Sequence, residues 1–323
     1  MALCSGECCS QSPGVRNGHS LVYFSPSRSL ILFGGADEKK VHGDTWKFSE
    51  GQWEEITEQG PSPRTFPSMV TGDNYILLFG GNAVLFGGPS NPVHYLDDTW
   101  LFENNAWRQL ITKEHPDARA EAAIAYDPVR QKVVLFGGRR SGEKWIDGDT
   151  WEFDGKGWSL KDTTGPTARS GAVMVYDSKL KGVILFGGNP VISKEKNYNG
   201  SMWLWNGTNW ISMNSSAPLI FNSCMSYSTT EDFILRFGGW NGSNRVHDTW
   251  IYKSGNDWRK LHVKRHPSAR NHAAMVFNPD KDCFFLYGGH DGDNVFGDMW
   301  EFTGRRWKLL FDVKPLRRID NGH

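Results

Sequence analysis

Nothing in this chain of 323 residues approaches the ~18 consecutive apolar residues of a membrane-spanning helix. No membrane span is expected. The opening stretch MALCSGECCSQSPGVR lacks a basic start followed by an apolar core, so it does not read as a secretory signal, and a cytoplasmic protein is expected. An excess of charge of either sign is missing too, since 36 Lys+Arg balance 36 Asp+Glu. With no global field to draw the molecule to nucleic acid or an anionic membrane, any electrostatic preference must be local. Cysteine is scarce: five residues without framework spacing argue against a disulfide scaffold and suit a reducing compartment. Cys4, Cys8 and Cys9 form a tail cluster without the paired C-x-x-C spacing of a soft-metal site, and read as free thiols. Helical spacing of apolar residues is absent over any ten-residue stretch, which leaves strands as the building material.

What the chain does have is repetition. An apolar strand ends in Gly-Gly at Gly35, Gly138, Gly188, Gly239 and Gly289. A D-T-W landmark or a variant of it follows, at Trp46, Trp100, Trp151, Trp203, Trp250 and Trp300. A second tryptophan comes seven residues later, or eight in one unit, at Trp53, Trp107, Trp158, Trp210, Trp258 and Trp307. Each unit opens on an arginine, Arg16, Arg64, Arg119, Arg169 or Arg270, with Ile220 in the equivalent place of the fifth. Within each unit of about 50 residues the pattern has period two and is broken by short turns, giving four strands. Six such units predict an all-β fold, a six-bladed β-propeller of four-stranded antiparallel blades. It is expected over 13–313, with a Cys-containing tail at 1–12 and a second tail at 314–323.

The Gly-Gly pair, the aromatic about twelve residues on and the Trp seven later resemble the kelch repeat over residues 13–311. The resemblance implies a propeller commonly used as a protein-interaction module. Kelch-like enzymes also exist, among them copper radical oxidases, sialic acid mutarotases and plant specifier proteins, so an enzyme remains the alternative. The oxidase pattern needs a Cys-linked Tyr, and Cys224 and Cys283 sit inside strand patterns. The specifier pattern of Glu, Asp and Cys at four-residue steps is absent.

Unit two holds Leu-Phe-Gly-Gly twice, in LLFGGNAVLFGGP at 77–89. Arginine to the first glycine is 18 residues in units one, three, four and six, whereas the two copies in unit two give 16 and 23. Losing two residues needs only a tighter hairpin at TGDN, so Gly80-Gly81 is expected to be structural, with a slip onto the second copy as the alternative.

The linker arginines and the loops after Gly-Gly should emerge on one face, where variable length on a rigid scaffold usually carries binding. Arg16, Arg64, Arg119, Arg169 and Arg270 are candidate anion-binding residues in a near-ring around the channel mouth, or else frame residues paired with carboxylates or carbonyls. Arg139, Trp240 and His290, just after Gly-Gly, are candidate contact residues on the same face. Glu121 and His272, two residues beyond their arginine positions, would face each other across the ring as weak candidates for acid/base chemistry. His19, His272 and His290 come from neighbouring units but lack carboxylate spacing, so no metal site and no cofactor are expected. The expected partner is a protein, a peptide or a small anionic ligand, and the expected state a monomer.

The chain begins with the innermost strand of one blade and ends with the outermost strand of another. The seam between blades six and one is therefore expected to be held by face packing alone and to open first.

Overall fold

The structure, a computed structural model, describes residues 11–57, 59–85, 93–141, 145–189 and 201–313. Cys4, Cys8, Cys9 and the 314–323 tail lie outside those residues. Among them, twenty-four strands form six four-stranded antiparallel sheets, each built from contiguous sequence. The blades span 20–57, 68–110, 123–162, 170–213, 224–261 and 274–311. Blade one shows the pattern: Ser20–Phe24, Ser29–Phe33, Thr45–Ser49 and Gln52–Thr57. The first strands of all six adjoin one another around the axis. Small residues near their starts, such as Ala123, Ala172 and Ala274, let the blades converge there.

The Gly80-Gly81 copy is the structural one, closing the buried strand Ile76–Asn82. Arg64 donates Nη1 to the Gly80 carbonyl across 16 residues, whereas Arg16, Arg119, Arg169 and Arg270 make the same bond across 18. The shortening lies where expected. Gly72 N–H donates to the Tyr75 carbonyl (2.8 Å) and closes a two-residue turn at Asp73-Asn74. Most of the second copy, 86–88, lies outside the described residues.

Glycine is required at the pair for a specific reason. Both members have positive φ in every blade, for example +70° and +109° at Gly137 and Gly138. A β-carbon on the first would sit 2.2–2.7 Å from the carbonyl oxygen of the next linker's Arg or Ile. That same carbonyl accepts the N–H of the second glycine, from Gly35→Arg64 (2.9 Å) round to Gly289→Arg16 (2.9 Å).

The core consists of six apolar slabs, one at each junction between blades. In four of them the outer-strand tryptophan also donates its indole N–H to the D-T-W threonine of the preceding blade: Trp107 to Thr45, Trp158 to Thr99, Trp210 to Thr150 and Trp307 to Thr249, all at 2.8–3.0 Å. Blades four and six carry Met202 and Met299 in place of that threonine. Accordingly Trp258 and Trp53, which face them, keep buried indole nitrogens without a partner among the described residues.

The seam between blades six and one corrects the expectation. No ladder is shared, but face packing is not alone: Arg16 N–H donates to the Phe296 carbonyl (2.9 Å), Gly289 N–H to Arg16 (2.9 Å) and Gly18 N–H to His272 (3.1 Å). The Tyr287 hydroxyl donates to Gly14 (2.7 Å). These backbone bonds recur at the other junctions, as in Arg64 N–H to His42 and Gly35 to Arg64, so the seam is one junction among six. The linker at 13–18 docks onto blade six just as each later linker docks onto the blade before it.

Gly137→Ala should therefore cost about 2 kcal/mol or more, because the methyl meets the Arg169 carbonyl at 2.4 Å in a left-handed conformation. Gly157→Ala, in open space, should stay within about 0.5 kcal/mol of the parent, with urea titrations of both variants as the measurement.

Candidate functional site

The linker arginines are frame residues. All five are at most 5% exposed. Arg16 binds Asp44, Arg64 binds Asp98, Arg119 binds Asp149 and Arg270 binds Asp298, each through both carboxylate oxygens at 2.5–3.0 Å. The same carboxylates accept the indole N–H of Trp46, Trp100, Trp151 and Trp300 at 2.7 Å. Burial opposes ionisation of Asp44, Asp98 and Asp149, but the guanidinium and indole donors outweigh it and hold these carboxyls below the usual range. Five positive charges thus face inward, toward their own blades. Of the two readings, the geometry follows the frame: no open ring of guanidinium groups forms at the mouth, because in four of the five units the landmark Asp lies within reach and a buried cation requires a counter-charge.

Two blades depart from this clasp. In blade four Ser201 replaces the aspartate, and Arg169 keeps the Gly187 carbonyl and the Ser201 hydroxyl. In blade five Ile220 replaces the arginine, and Asp248 pairs with Lys260 instead at 2.7 Å. Trp203 and Trp250, the tryptophans of these two clasps, have buried indole nitrogens without partners among the described residues. Blade five also carries Arg236, 1% exposed, where the other blades have leucine. Its guanidinium lies 5.2–5.6 Å from the ring centres of Phe186, Trp250 and Trp258. Burial lowers its pKa to about 10, against the pull of Asp248, so it remains charged at neutral pH.

The residues two beyond the arginines build the mouth itself. Gly18 N–H donates to His272, Phe66 to Gly18, Glu121 to Phe66, Gly171 to Glu121, Asn222 to Gly171 and His272 to Asn222, at 2.6–3.2 Å. One residue from each blade thus closes a continuous ring of backbone hydrogen bonds, and all six have φ between +54° and +64°. Two positions are glycine, and their neighbours' side chains take the vacant room: a β-carbon on Gly18 would meet Phe66 at 2.7 Å, and one on Gly171 would meet Asn222 Oδ1 at 2.0 Å.

Above this ring lies a cavity of about 340 Å³ whose lining includes Phe66, Glu121, Arg139, Asn222, His272 and His290. Glu121 and His272 share it, but each has its own partner. Arg139 Nε lies 3.2 Å from the Glu121 carboxylate, whose pKa burial raises in spite of Arg139 and Ser170. His272 Nδ1 and His290 Nε2 are 3.0 Å apart, and Arg245 Nη2 lies 3.5 Å from His290 Nδ1. Since arginine can only donate, His290 accepts at Nδ1, donates from Nε2 to His272, and leaves the His272 proton on Nε2. Burial, reinforced by Arg245, brings His290 down to about 4; burial, then His290, puts His272 well below its usual value. Both are neutral near pH 7. His19 joins neither; it lies edge-on to Tyr287 at 5.5 Å, and burial with the Arg16 charge brings it down to about 3. Among the described residues no three His, Cys, Asp or Glu side chains are grouped to hold a metal ion.

Groups facing outward on the same side include Trp145, 70% exposed, and Trp240, which stacks on Arg245 at 5.2 Å. Tyr198, an aromatic of the variable loop after Gly188 and a further candidate for this face, lies outside the described residues. The opposite end of the channel opens into an apolar bowl of about 490 Å³ that sequence reasoning missed. Its signal is the residue five beyond each linker position: Leu21, Met69, Ile124, Met174, Met225 and Met275. Such a pattern becomes visible only once the repeats are aligned on their arginines. Among the described residues no helix is long and apolar enough to cross a membrane.

A family model described as the KLHDC2/KLHL20/DRC7 Kelch-repeats domain matches residues 3–156 and again 128–311. A curated relative, tRNA wybutosine-synthesizing protein 4 of Emericella nidulans, is 28% identical over 86 residues, 24% of this chain and 8% of that protein. The chain thus spans under a tenth of that relative's length.

Arg119→Ala should lower stability by about 2–3 kcal/mol, since it removes a buried guanidinium and leaves the half-buried Asp149 carboxylate with the Trp151 indole as its side-chain donor; a loss below about 1 kcal/mol would return Arg119 to the pool of binding residues. His19 supplies a pH test. Its folded pKa near 3 lies under the unfolded 6.5, so its contribution is whole above pH 6.5 and is lost as pH falls toward 3. His19→Leu should flatten the fall in melting temperature between pH 6.5 and 4, and an unchanged slope would contradict the assignment.

Proposed function

Because the chain belongs to the KLHDC2/KLHL20/DRC7 kelch-repeat family, we propose that it is a binding module or scaffold that takes a protein or peptide partner on the loop face around the channel mouth. Fold does not decide function, so the support has to come from the site. The observation that carries the reading is the division of roles on that face. The linker arginines are occupied by the frame, while Arg139, Trp145, Trp240 and His290, borne by the loops after Gly-Gly, remain at least partly exposed. Arginine and tryptophan are enriched among the residues that dominate interface energetics, tryptophan because its large rigid surface loses little entropy on docking and arginine because its planar fork makes several directed hydrogen bonds. The hydrogen-bonded ring below supplies the rigidity. Pairing of Glu121 with Arg139 and of His272 with His290 gives the cavity fixed, mixed polarity suited to orienting a partner's side chains.

The test is a comparative pull-down. Proteins recovered on the wild type should be lost on an Arg139→Ala/Trp240→Ala variant of unchanged melting temperature, and kept on a variant altered in the opposite, apolar bowl. Equal recovery on the wild type and the loop-face variant would refute the proposal.

A further inference from the structure

The chain carries no net charge, yet one surface collects cations of a single sign. A groove of about 570 Å³ runs between the end of blade five and the last hairpin of blade six. Lys264 and Arg265, with His262, form one wall; Arg305, Arg306 and Lys308 belong to the other. All five Lys and Arg side chains are exposed, and among the described residues none is in an ion pair and no carboxylate lines the groove. Elsewhere exposed cations are either paired, as in Arg28–Asp280 at 3.0 Å and Arg108–Glu103 at 3.2 Å, or scattered, as at Lys113, Lys161 and Lys181, so the clustering of five is what sets this groove apart.

The repeat supplies its own control. The hairpin before each outer tryptophan occupies the same place in every blade. The two residues preceding Trp53, Trp107, Trp158, Trp210 and Trp258 include one cation among them, Lys156, whereas Trp307 follows Arg305-Arg306. The linkers leaving the other blades, such as TEQG at 57–60 and NSSAP at 214–218, are neutral or acidic where this one reads HVKRH at 262–266. The frame uses little of this charge: Arg265 rests over the Trp300 ring at 5.9 Å, and the other four cations make no ion pair or ring contact among the described residues. Trp307 makes its usual bond to Thr249 and is 2% exposed beneath them, so the hairpin is built as in other blades and then overlaid with cations.

We propose that this groove docks an acidic peptide segment of a partner protein. Unpaired cations repel one another, and an anionic occupant relieves that cost along the whole groove. An extended segment presents successive side chains to opposite sides, so adjacent acidic residues would meet Lys264 and Arg265 on one wall and Arg305 and Arg306 on the other. A peptide fits better than single-stranded nucleic acid, because the groove's aromatic rings are buried, Trp307 at 2% and the neighbouring Trp300 at 8% exposure, and leave no face for a base to stack on. The surface lies on the outer edge, away from the channel mouth, so this reading stands apart from the loop-face proposal.

A fluorescein-labelled octaglutamate peptide, followed by anisotropy on the full chain, tests it. The charge-reversal pairs Arg305→Glu/Arg306→Glu and Lys264→Glu/Arg265→Glu, one from each wall, should each raise Kd about tenfold or more, and raising salt from about 50 to 200 mM should weaken wild-type binding. The loop-face variant Arg139→Ala/Trp240→Ala should bind the peptide as the wild type does. Kd values within twofold for both charge-reversed variants, at unchanged melting temperature, would overturn the proposal. So would tighter binding of an oligothymidylate or of phosphatidylserine vesicles through the same residues.

Discussion

The interaction on which the rest of the molecule depends is the buried arginine at the start of a blade. Its backbone belongs to the blade before, through N–H and C=O bonds such as Arg16 to Phe296 and Gly289 to Arg16. Its guanidinium belongs to its own blade, through a glycine carbonyl and an aspartate. One residue thereby fixes both the distance and the rotation between neighbouring sheets, a task that apolar slabs, being non-directional, cannot perform alone. The other landmarks follow from it. Gly-Gly exists because the next arginine's carbonyl approaches where a β-carbon would stand, and the aspartate of D-T-W exists because a desolvated cation needs a counter-charge. The tryptophan two residues later gives that aspartate's second oxygen a further donor. Two residues beyond the arginine the chain has just been positioned, and there the closed ring of backbone bonds forms.

Blades four and five show what happens when one partner is removed. Without the arginine, Asp248 turns to Lys260 and Trp250 loses its acceptor; without the aspartate, Trp203 loses its own. Arg236 returns a cation to the junction between these two blades, beside Phe186, Trp250 and Trp258. The aromatic faces offset part of its desolvation, which is why arginine rather than lysine is tolerable in such a place. The backbone half of the motif survives the loss of the side chain: Gly188 N–H still donates to the Ile220 carbonyl at 3.1 Å. The blade therefore keeps its place in the ring on main-chain bonds and packing.

The fold was legible in the sequence because each of its determinants is a short, repeated string. Six concordant copies fixed blade number, strand order and even the choice of Gly80-Gly81, since a two-residue deficit has an inexpensive solution and a five-residue surplus does not. The site was legible only in part. The positions two beyond the arginines were singled out, but their role as a hydrogen-bonded ring depends on the left-handed backbone at Phe66, Glu121, Asn222 and His272, which nothing in those side chains announces. The arginines were read as open to two roles because the partner aspartate lies 28–34 residues away along the chain. Only the folded register brings the two together. The seam was misjudged for the same reason: the bonds that hold it join Arg16 and Gly18 to residues at the far end of the sequence.

A repeat protein separates the demands of the frame from those of function, since five other blades show what each position needs structurally. Departures are of two kinds, and burial tells them apart. Where a departure is buried, as at Ile220 and Arg236, or half-buried, as at Ser201, its consequences stay within the same blade junction: a displaced ion pair, an unpartnered indole, a cation resting on rings. These are local adjustments of one clasp. Where a departure is exposed, as at Arg305 and Arg306, the frame below is unchanged and no compensating charge stands nearby among the described residues. A cluster of like charges gains nothing for folding and, by mutual repulsion, costs a little. The acidic segment proposed above would relieve that repulsion from outside the chain, and its sign follows from that of the groove.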